Sequence, residues 1–109
     1  MSGYAFHPEA FGDLDEIWEY IAQDNIDAAD GVLADIHASL RVLSASPHIG
    51  HRRPDLTKRP LRFHVVRDEY LIAYAADEKP VWVVAVLHGH RNPRVMAAIL
   101  RDRESGTRT

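Results

Sequence analysis

Seven consecutive apolar residues, Val81 to Leu87, predict a strand that is buried on both faces. The run is too short for most helices, and several of its members are β-branched or aromatic. It ends at His88-Gly89-His90-Arg91, where glycine permits a turn, and Asn92-Pro93 prevents the strand from continuing. The pattern therefore places two imidazoles and a guanidinium at the end of a central strand, which is an arrangement typical of a site.

Apolar residues at three- and four-residue spacing predict two helices after a short strand at Tyr4-Ala5-Phe6-His7. The first helix begins at Pro8 and ends near Asp24-Asn25. Its apolar stripe consists of Phe11, Leu14, Ile17, Trp18 and Ile21. Its acidic outer side consists of Asp13, Asp15, Glu16 and Glu19. The second helix has Asn25 or Asp27 as its N-cap and ends before Pro47, so the two helices are expected to form an antiparallel hairpin.

Three apolar segments with short polar connections predict an antiparallel meander. The segments begin at Leu61, Tyr70 and Val81. Arg62 and His64 share one face of the first strand, whereas the face on which Trp82 lies in the third strand is undetermined. A short helix follows Pro93.

Together these elements predict an α+β domain in the order β-α-α-β-β-β-α, with an antiparallel sheet, the helical hairpin packed on one face and a short C-terminal helix. Residues 1–101 are the predicted single domain, and residues 102–109 are the predicted flexible tail. The chain of 109 residues is too short for two separate cores. It has no cysteine, which excludes disulfides and thiolate metal sites. Without a signal-like start or a bilayer-length apolar run, a soluble cytoplasmic protein is expected.

Acidic and basic side chains are segregated along the chain. Residues 1–40 hold nine acidic side chains and no Lys or Arg, whereas residues 41–109 hold all 13 Lys and Arg and seven acids. The net charge of −3 therefore conceals two differently charged surfaces, which favour different partners. The basic loop between residues 47 and 60 lacks periodicity and is predicted to bind a partner. The acidic hairpin is either a solubility surface or a site for a basic partner.

The chain resembles the RelE/ParE superfamily of small toxins from type II toxin–antitoxin systems over nearly its whole length. The resemblance rests on Pro8-Glu9-Ala10, Asp13-Leu14, Ile17, Ala28-Ala29, Pro47-His48-Ile49-Gly50, Arg52, Leu56, Leu61-Arg62, Tyr70-Leu71-Ile72-Ala73-Tyr74 and His88-Gly89-His90-Arg91-Asn92. The last of these is more similar to the ParE branch, which implies poisoning of DNA gyrase. RelE-like toxins are implied to cleave mRNA on the ribosome. Both branches imply a small antitoxin whose flexible C-terminal segment wraps the toxin.

A nuclease interpretation and a metal interpretation remain as alternatives. For a metal-independent nuclease, the residues that could supply a base, an acid and cations are Arg62, His64, His88, His90 and Arg91. Against this use, the segment after Arg91 lacks the tyrosine of several RelE-like toxins, and net acidic charge suits ribosome binding poorly. A metal site at His88 and His90 is disfavoured because no carboxylate lies near them in sequence. No metal and no cofactor are expected.

A protein-binding surface is the favoured interpretation. The candidate partner-binding residues are Arg52, Arg53, Lys58, Arg59, Arg62, Arg91 and Arg94. An antitoxin tail that folds on binding would bring acidic residues to Arg62 and Arg91. The leading prediction is a ParE-like toxin that inhibits DNA gyrase by binding, with a RelE-like mRNA endoribonuclease and a non-toxic antitoxin-binding module as alternatives. No membrane partner is expected, and DNA contact is expected only indirectly, through the antitoxin or gyrase.

Overall fold

A computed structural model describes residues 3–103, and their elements follow the predicted order. The strands and helices are β1 (Tyr4–Phe6), α1 (Pro8–Ala22), α2 (Ile26–Ala45), β2 (Leu61–Val66), β3 (Tyr70–Ala75), β4 (Val81–His88) and α3 (Pro93–Asp102). A short 3-10 turn, Pro47–Ile49, lies within the basic loop. The α+β class is therefore confirmed. No helix within residues 3–103 combines the length and the apolar content needed to cross a bilayer.

The strands of residues 3–103 form one sheet in the order β1-β4-β3-β2. β2, β3 and β4 make the predicted antiparallel meander, in which Tyr70 of β3 lies between Val66 of β2 and His88 of β4. β1 instead pairs with β4 in parallel, so the sheet is mixed rather than wholly antiparallel. The apolar run that forms β4 consequently lies inside the sheet, with a strand on each side of its first half.

Two hydrophobic cores enclose the sheet, one on each face. The α1–α2 hairpin covers the first face, where Ile36 and Leu40 pack with Ile72 of β3. α3 covers the second face, where Met96 packs with Leu71. Complete burial of each such side chain contributes roughly 1.5–3 kcal/mol. Because both faces are covered, β4 is buried on both sides, as its sequence predicts.

Each helix begins at a side chain that accepts a hydrogen bond from a backbone amide of the first turn. His7, Asn25 and Asn92 accept these bonds at 3.1, 3.0 and 2.8 Å. Pro8 and Pro93 lie at the start of their helices, where the missing N–H has no intrahelical partner to lose. Asn25 is thus the N-cap of α2, which resolves the two predicted candidates.

The buried stripe of α1 is rotated relative to the prediction. It begins at Ala10, whereas Phe11 is 56% exposed and packs its ring against Phe6 with centroids 4.8 Å apart. Asp13 was predicted on the acidic outer side, but its side chain is only 11% exposed and points inward. The outer-side assignment of Asp13 is therefore wrong, because Asp13 forms an ion pair with Arg103, the residue that follows α3.

β4 contains a β-bulge in which Val84 is the extra residue relative to β3. The extra residue reverses the alternation of side chains, so Val83 and Val86 both face the hairpin although they are three positions apart. His88 follows two positions later and faces the hairpin as well. An unbroken alternation would have placed it on the α3 face with Trp82.

A buried ion pair binds the backbone at the bulge. On the β1 side, β4 has no strand neighbour beyond Val83. Arg103 Nη1 donates to the carbonyl oxygen of Val84 at 3.0 Å, and the Val86 amide donates to Asp13 Oδ2 at 2.9 Å. The guanidinium and the carboxylate also bind each other through two hydrogen bonds, at 2.7 and 2.9 Å. The bonds to Asp13 raise the pKa of Arg103 further, so the guanidinium stays charged.

This ion pair lies at the predicted boundary between the domain and its tail. α3 ends at Asp102, and Arg103 is only 7% exposed. The tail predicted over residues 102–109 therefore begins too early, because the core holds Arg103. Residues 104–109 of that prediction lie outside the described residues.

Replacing Asp13 with Ala should strongly destabilise the protein, because Arg103 would keep its charge in a buried position without a carboxylate. Loss of one partner of a buried pair costs about 3–5 kcal/mol in the free energy of unfolding, which urea denaturation measures. Asp15→Ala, at an exposed position of the same helix, is the matched control and should change that free energy by about 0.5 kcal/mol or less. Equal effects of the two substitutions would contradict a structural role for the pair.

Candidate interaction surface

An open groove lies at the end of β4, between the helical hairpin and the turn that joins β2 to β3. It consists of two clefts of about 650 and 200 Å³ that share Tyr20 and His88. Ile21 is half-buried in the larger cleft, whereas Val32 and Tyr70 are buried and form its floor. We call this feature the β4 groove. Its size and mixed lining are those of a site for a peptide segment.

Aromatic rings form one wall of the β4 groove. The His88 ring lies 5.4 Å from the Tyr70 ring between centroids. Burial raises the pKa of Tyr70, and the nearby Glu69 carboxylate raises it further, so its hydroxyl stays neutral. Tyr20 is 71% exposed and stands at the junction of the two clefts. Exposed aromatic rings beside apolar surface are common anchors at protein interfaces.

The β2–β3 turn at the rim of the groove is held from two sides. Arg67 and Asp68 both have positive φ, at 56° and 55°, as a tight hairpin turn of this hand requires. Arg67 Nε donates to the Asp35 carboxylate of α2. His90 Nε2 lies 3.1 Å from the carbonyl oxygen of Asp68, so the segment after β4 is fastened to the same turn. Arg91 lines the smaller cleft at the opposite rim.

Arg62 holds the basic loop in place. Its Nη1 donates to the carbonyl oxygen of Gly50 at 2.8 Å and to that of His48 at 3.3 Å. The buried Tyr74 hydroxyl donates to the carbonyl oxygen of Pro47 at 2.6 Å and accepts from the Gly50 amide at 3.0 Å. Glycine is required here, because a Cβ would overlap the Tyr74 hydroxyl. Arg62, which the sequence selects for partner binding, thus bonds to the protein's own backbone.

The five residues of the nuclease interpretation fall into two groups. His88, His90 and Arg91 lie at the end of β4, whereas Arg62 and His64 lie on β2. β3 separates the two strands, which puts about 10 Å between them. β2 and β4 run in the same direction, so Arg62 near the start of β2 is also distant from His88 along the strands. Within residues 3–103, no three His, Asp or Glu side chains are arranged to hold a metal ion.

The other predicted partner-binding residues belong to the basic loop and to α3, away from the β4 groove. They are Arg52, Arg53, Lys58 and Arg59 of the basic loop and Arg94 of α3. Arg53 makes two hydrogen bonds to Asp55, at 2.9 and 2.8 Å. Arg59 Nη1 lies 3.4 Å from the carbonyl oxygen of Leu100, which fastens the loop to α3. The predicted binding residues therefore do not form one site.

Sequence reasoning missed the aromatic member of the groove that is most exposed. Tyr20 follows Ile17 by three residues, which places both on the same side of α1. The signal in the sequence is an aromatic residue that continues the apolar stripe of α1 beyond the part that is buried. Without the position of the β2–β3 turn, that signal does not distinguish a groove from a frayed helix end.

The pH dependence of stability provides a test of the position of His64. Burial lowers the pKa of His64 below its ordinary value of 6.5, and the charge of His51 lowers it further. The folded state therefore binds fewer protons here than the unfolded state as the pH falls below 6.5. This contribution to stability is fully present above about pH 6.5 and is lost as the pH falls towards the lowered pKa.

Substituting Gln for His64 should accordingly flatten the stability profile between pH 7.5 and pH 5, as measured by urea midpoints at each pH. Val65→Thr, at an exposed position of the same strand without a titrating group, serves as the control and should leave the slope of wild type in place. A steeper slope for the His64 variant would contradict the predicted sign.

Comparisons with known proteins support a family assignment and the fold. The family model for the ParE toxin of the type II toxin–antitoxin system parDE matches residues 4–93. A comparison with curated proteins gave no match. A chain of the chromosomal ParDE toxin–antitoxin system from P. aeruginosa has a similar structure, with a TM-score of 0.64, 19% sequence identity, and coverage of 81% of this chain and 96% of that chain. That likeness supports the fold, whereas the family match spans most of the sequence. The chain therefore belongs to the ParE toxin family of type II toxin–antitoxin systems.

Proposed function

We propose that this protein is a toxin that inhibits DNA gyrase by binding, and that a cognate antitoxin neutralises it. The observation that carries the proposal is the ParE family match over residues 4–93. The parDE system named by that match pairs a toxin with an antitoxin, so a partner protein follows from family membership. Gyrase as the target follows from the resemblance of His88-Gly89-His90-Arg91-Asn92 to the ParE branch.

The geometry supports binding better than RNA cleavage. General acid–base cleavage needs a base, an acid and cations around one phosphate. Here Arg62 bonds to carbonyl oxygens of the basic loop and lies two strands from His88. The β4 groove, in contrast, combines aromatic and aliphatic surface with separate charged residues at its rim, as protein-binding grooves do.

The antitoxin is proposed to occupy the β4 groove with a segment that orders on binding. Apolar side chains of that segment would pack on Tyr20 and Ile21, and a carboxylate would pair with Arg91. Such an interface must be large, because ordering the segment costs entropy that burial has to exceed. The two clefts together provide a continuous path along the end of the sheet.

Purified protein should inhibit negative supercoiling by gyrase or trap the cleaved gyrase–DNA complex, measured on plasmid DNA by gel electrophoresis. The same preparation should leave a defined message intact in a ribosome-dependent cleavage assay. Cleavage of that message together with normal gyrase activity would establish the RelE-like alternative instead. Normal growth of cells that express the chain without a partner would favour the third alternative, a non-toxic binding module.

Tyr20→Ala should weaken binding of the antitoxin tail about tenfold or more, since an aromatic anchor at an interface contributes about 1.4 kcal/mol or more. The probe is a synthetic peptide of the C-terminal segment encoded by the neighbouring antitoxin reading frame, titrated by calorimetry. Val42→Ala removes another exposed apolar side chain, 54% exposed on α2, and should leave affinity unchanged. Equal affinities of both variants and wild type would place the antitoxin elsewhere on the toxin.

A further inference from the structure

We infer that a second surface of this protein binds the phosphate backbone of duplex DNA directly. The surface consists of Lys58 of the basic loop and Arg94 and Arg101 of α3, and we call it the α3 basic surface. It lies on the face of the sheet opposite the β4 groove, so it is available while the groove is occupied. The inference departs from the expectation that DNA contact is only indirect, and it does not depend on gyrase as the target.

The first support is that the cations of the α3 basic surface lack carboxylate partners. Within residues 3–103, none of the three makes an ion pair, whereas Arg53, Arg67 and Arg103 are each bound by an aspartate. Segments 52–59 and 93–102 contain two acids, Asp55 and Asp102, and Asp55 is bound by Arg53. In the part of the chain that the structure describes, the three cations are therefore not neutralised by a carboxylate.

The second support is the way in which the cations converge. Lys58 and Arg101 line one cleft of about 400 Å³ between the basic loop and α3. Arg94 and Arg101 are seven positions apart in α3, so they lie on one side of the helix and about 10 Å apart along its axis. Arg59 fastens the loop to α3 at the carbonyl oxygen of Leu100. The cations are thus presented by a fixed frame, which reduces the entropy lost on binding.

The lining favours a phosphate backbone over an acidic peptide. A peptide that folds on binding needs large apolar anchors to offset its ordering, but Leu56, the largest apolar residue of this cleft, is only 4% exposed, and Pro54 and Ala97 are small. Phosphate binding needs only cations, because release of condensed counterions drives it. Segments 52–59 and 93–102 contain no aromatic residue on which single-stranded bases could stack. Duplex DNA is therefore the partner whose chemistry fits.

The distribution of acidic residues favours one orientation of the protein on DNA. All nine acidic residues of positions 1–40 precede the basic loop, and the hairpin that carries them covers the other face of the sheet. DNA is repelled from that face and attracted to the α3 basic surface. The family match ends at residue 93, where α3 begins, so Arg94 and Arg101 lie beyond the matched residues.

The test is fluorescence anisotropy of a labelled mixed-sequence DNA duplex titrated with purified full-length protein at several salt concentrations. Three phosphate contacts predict a slope of about −2.7 for log K against log salt, which is a loss of affinity of roughly 40-fold between 50 and 200 mM. The double variant Lys58→Ala/Arg101→Ala should reduce the slope to about −0.9 and weaken binding at 50 mM salt at least tenfold.

Arg41→Ala is the matched control, because it removes a cation from an exposed position of α2 on the hairpin side. It should leave both the affinity and the slope unchanged. Absence of binding at low salt, or equal losses for the control and the double variant, would overturn the inference. So would competition by a poly-glutamate peptide as strong as that by unlabelled duplex, since the surface would then select an acidic protein. Circular dichroism of each variant shows whether folding is retained.

Discussion

The Asp13–Arg103 ion pair is the interaction on which the arrangement of this protein depends. β1 ends beside Val83, so the carbonyl oxygen of Val84 and the amide of Val86 need partners other than a strand, and each would cost about 1–3 kcal/mol if buried alone. The pair supplies both partners, and each of its charges compensates the other. It also joins α1, β4 and the end of α3 at one point. Once the bulge is stabilised, the side chains that follow are reversed, and His88 enters the β4 groove.

Periodicity predicts most of this fold because burial imposes it. The hairpin and the meander follow from apolar spacings, and the two-sided burial of β4 follows from its unbroken apolar run. That same run hides the bulge. When both faces are apolar, an extra residue leaves no trace in the pattern, so the face on which Trp82 or His88 lies cannot be read from sequence. The role of Arg103 is hidden for another reason, since a polar C-terminal segment resembles a solvated tail.

The predicted site residues show that the type of a residue does not determine what it contacts in the folded protein. Arginines near the basic loop are all candidate ligands in the sequence, yet in the structure Arg53 binds Asp55 and Arg62 binds loop carbonyl oxygens. Within residues 3–103, Lys58, Arg94 and Arg101 make no ion pair and are left for partners. The sheet then separates two surfaces, a groove with aromatic walls on the hairpin side and an exposed cationic surface beside α3. Their chemistry differs enough that one molecule could engage a protein and a polyanion at once.

The distance in sequence between the two ends of the ion pair has a consequence for biosynthesis. Asp13 and Arg103 are 90 positions apart. A chain emerging from the ribosome N-terminus first can form the hairpin and pair β2 with β3 while the guanidinium is still untranslated. Until Arg103 has been synthesised, the carbonyl oxygen of Val84 lacks its cation. The end of β4 that lines the groove is therefore fixed only after Arg103 has joined Asp13, whereas the hairpin and the β2–β3 pair can form earlier.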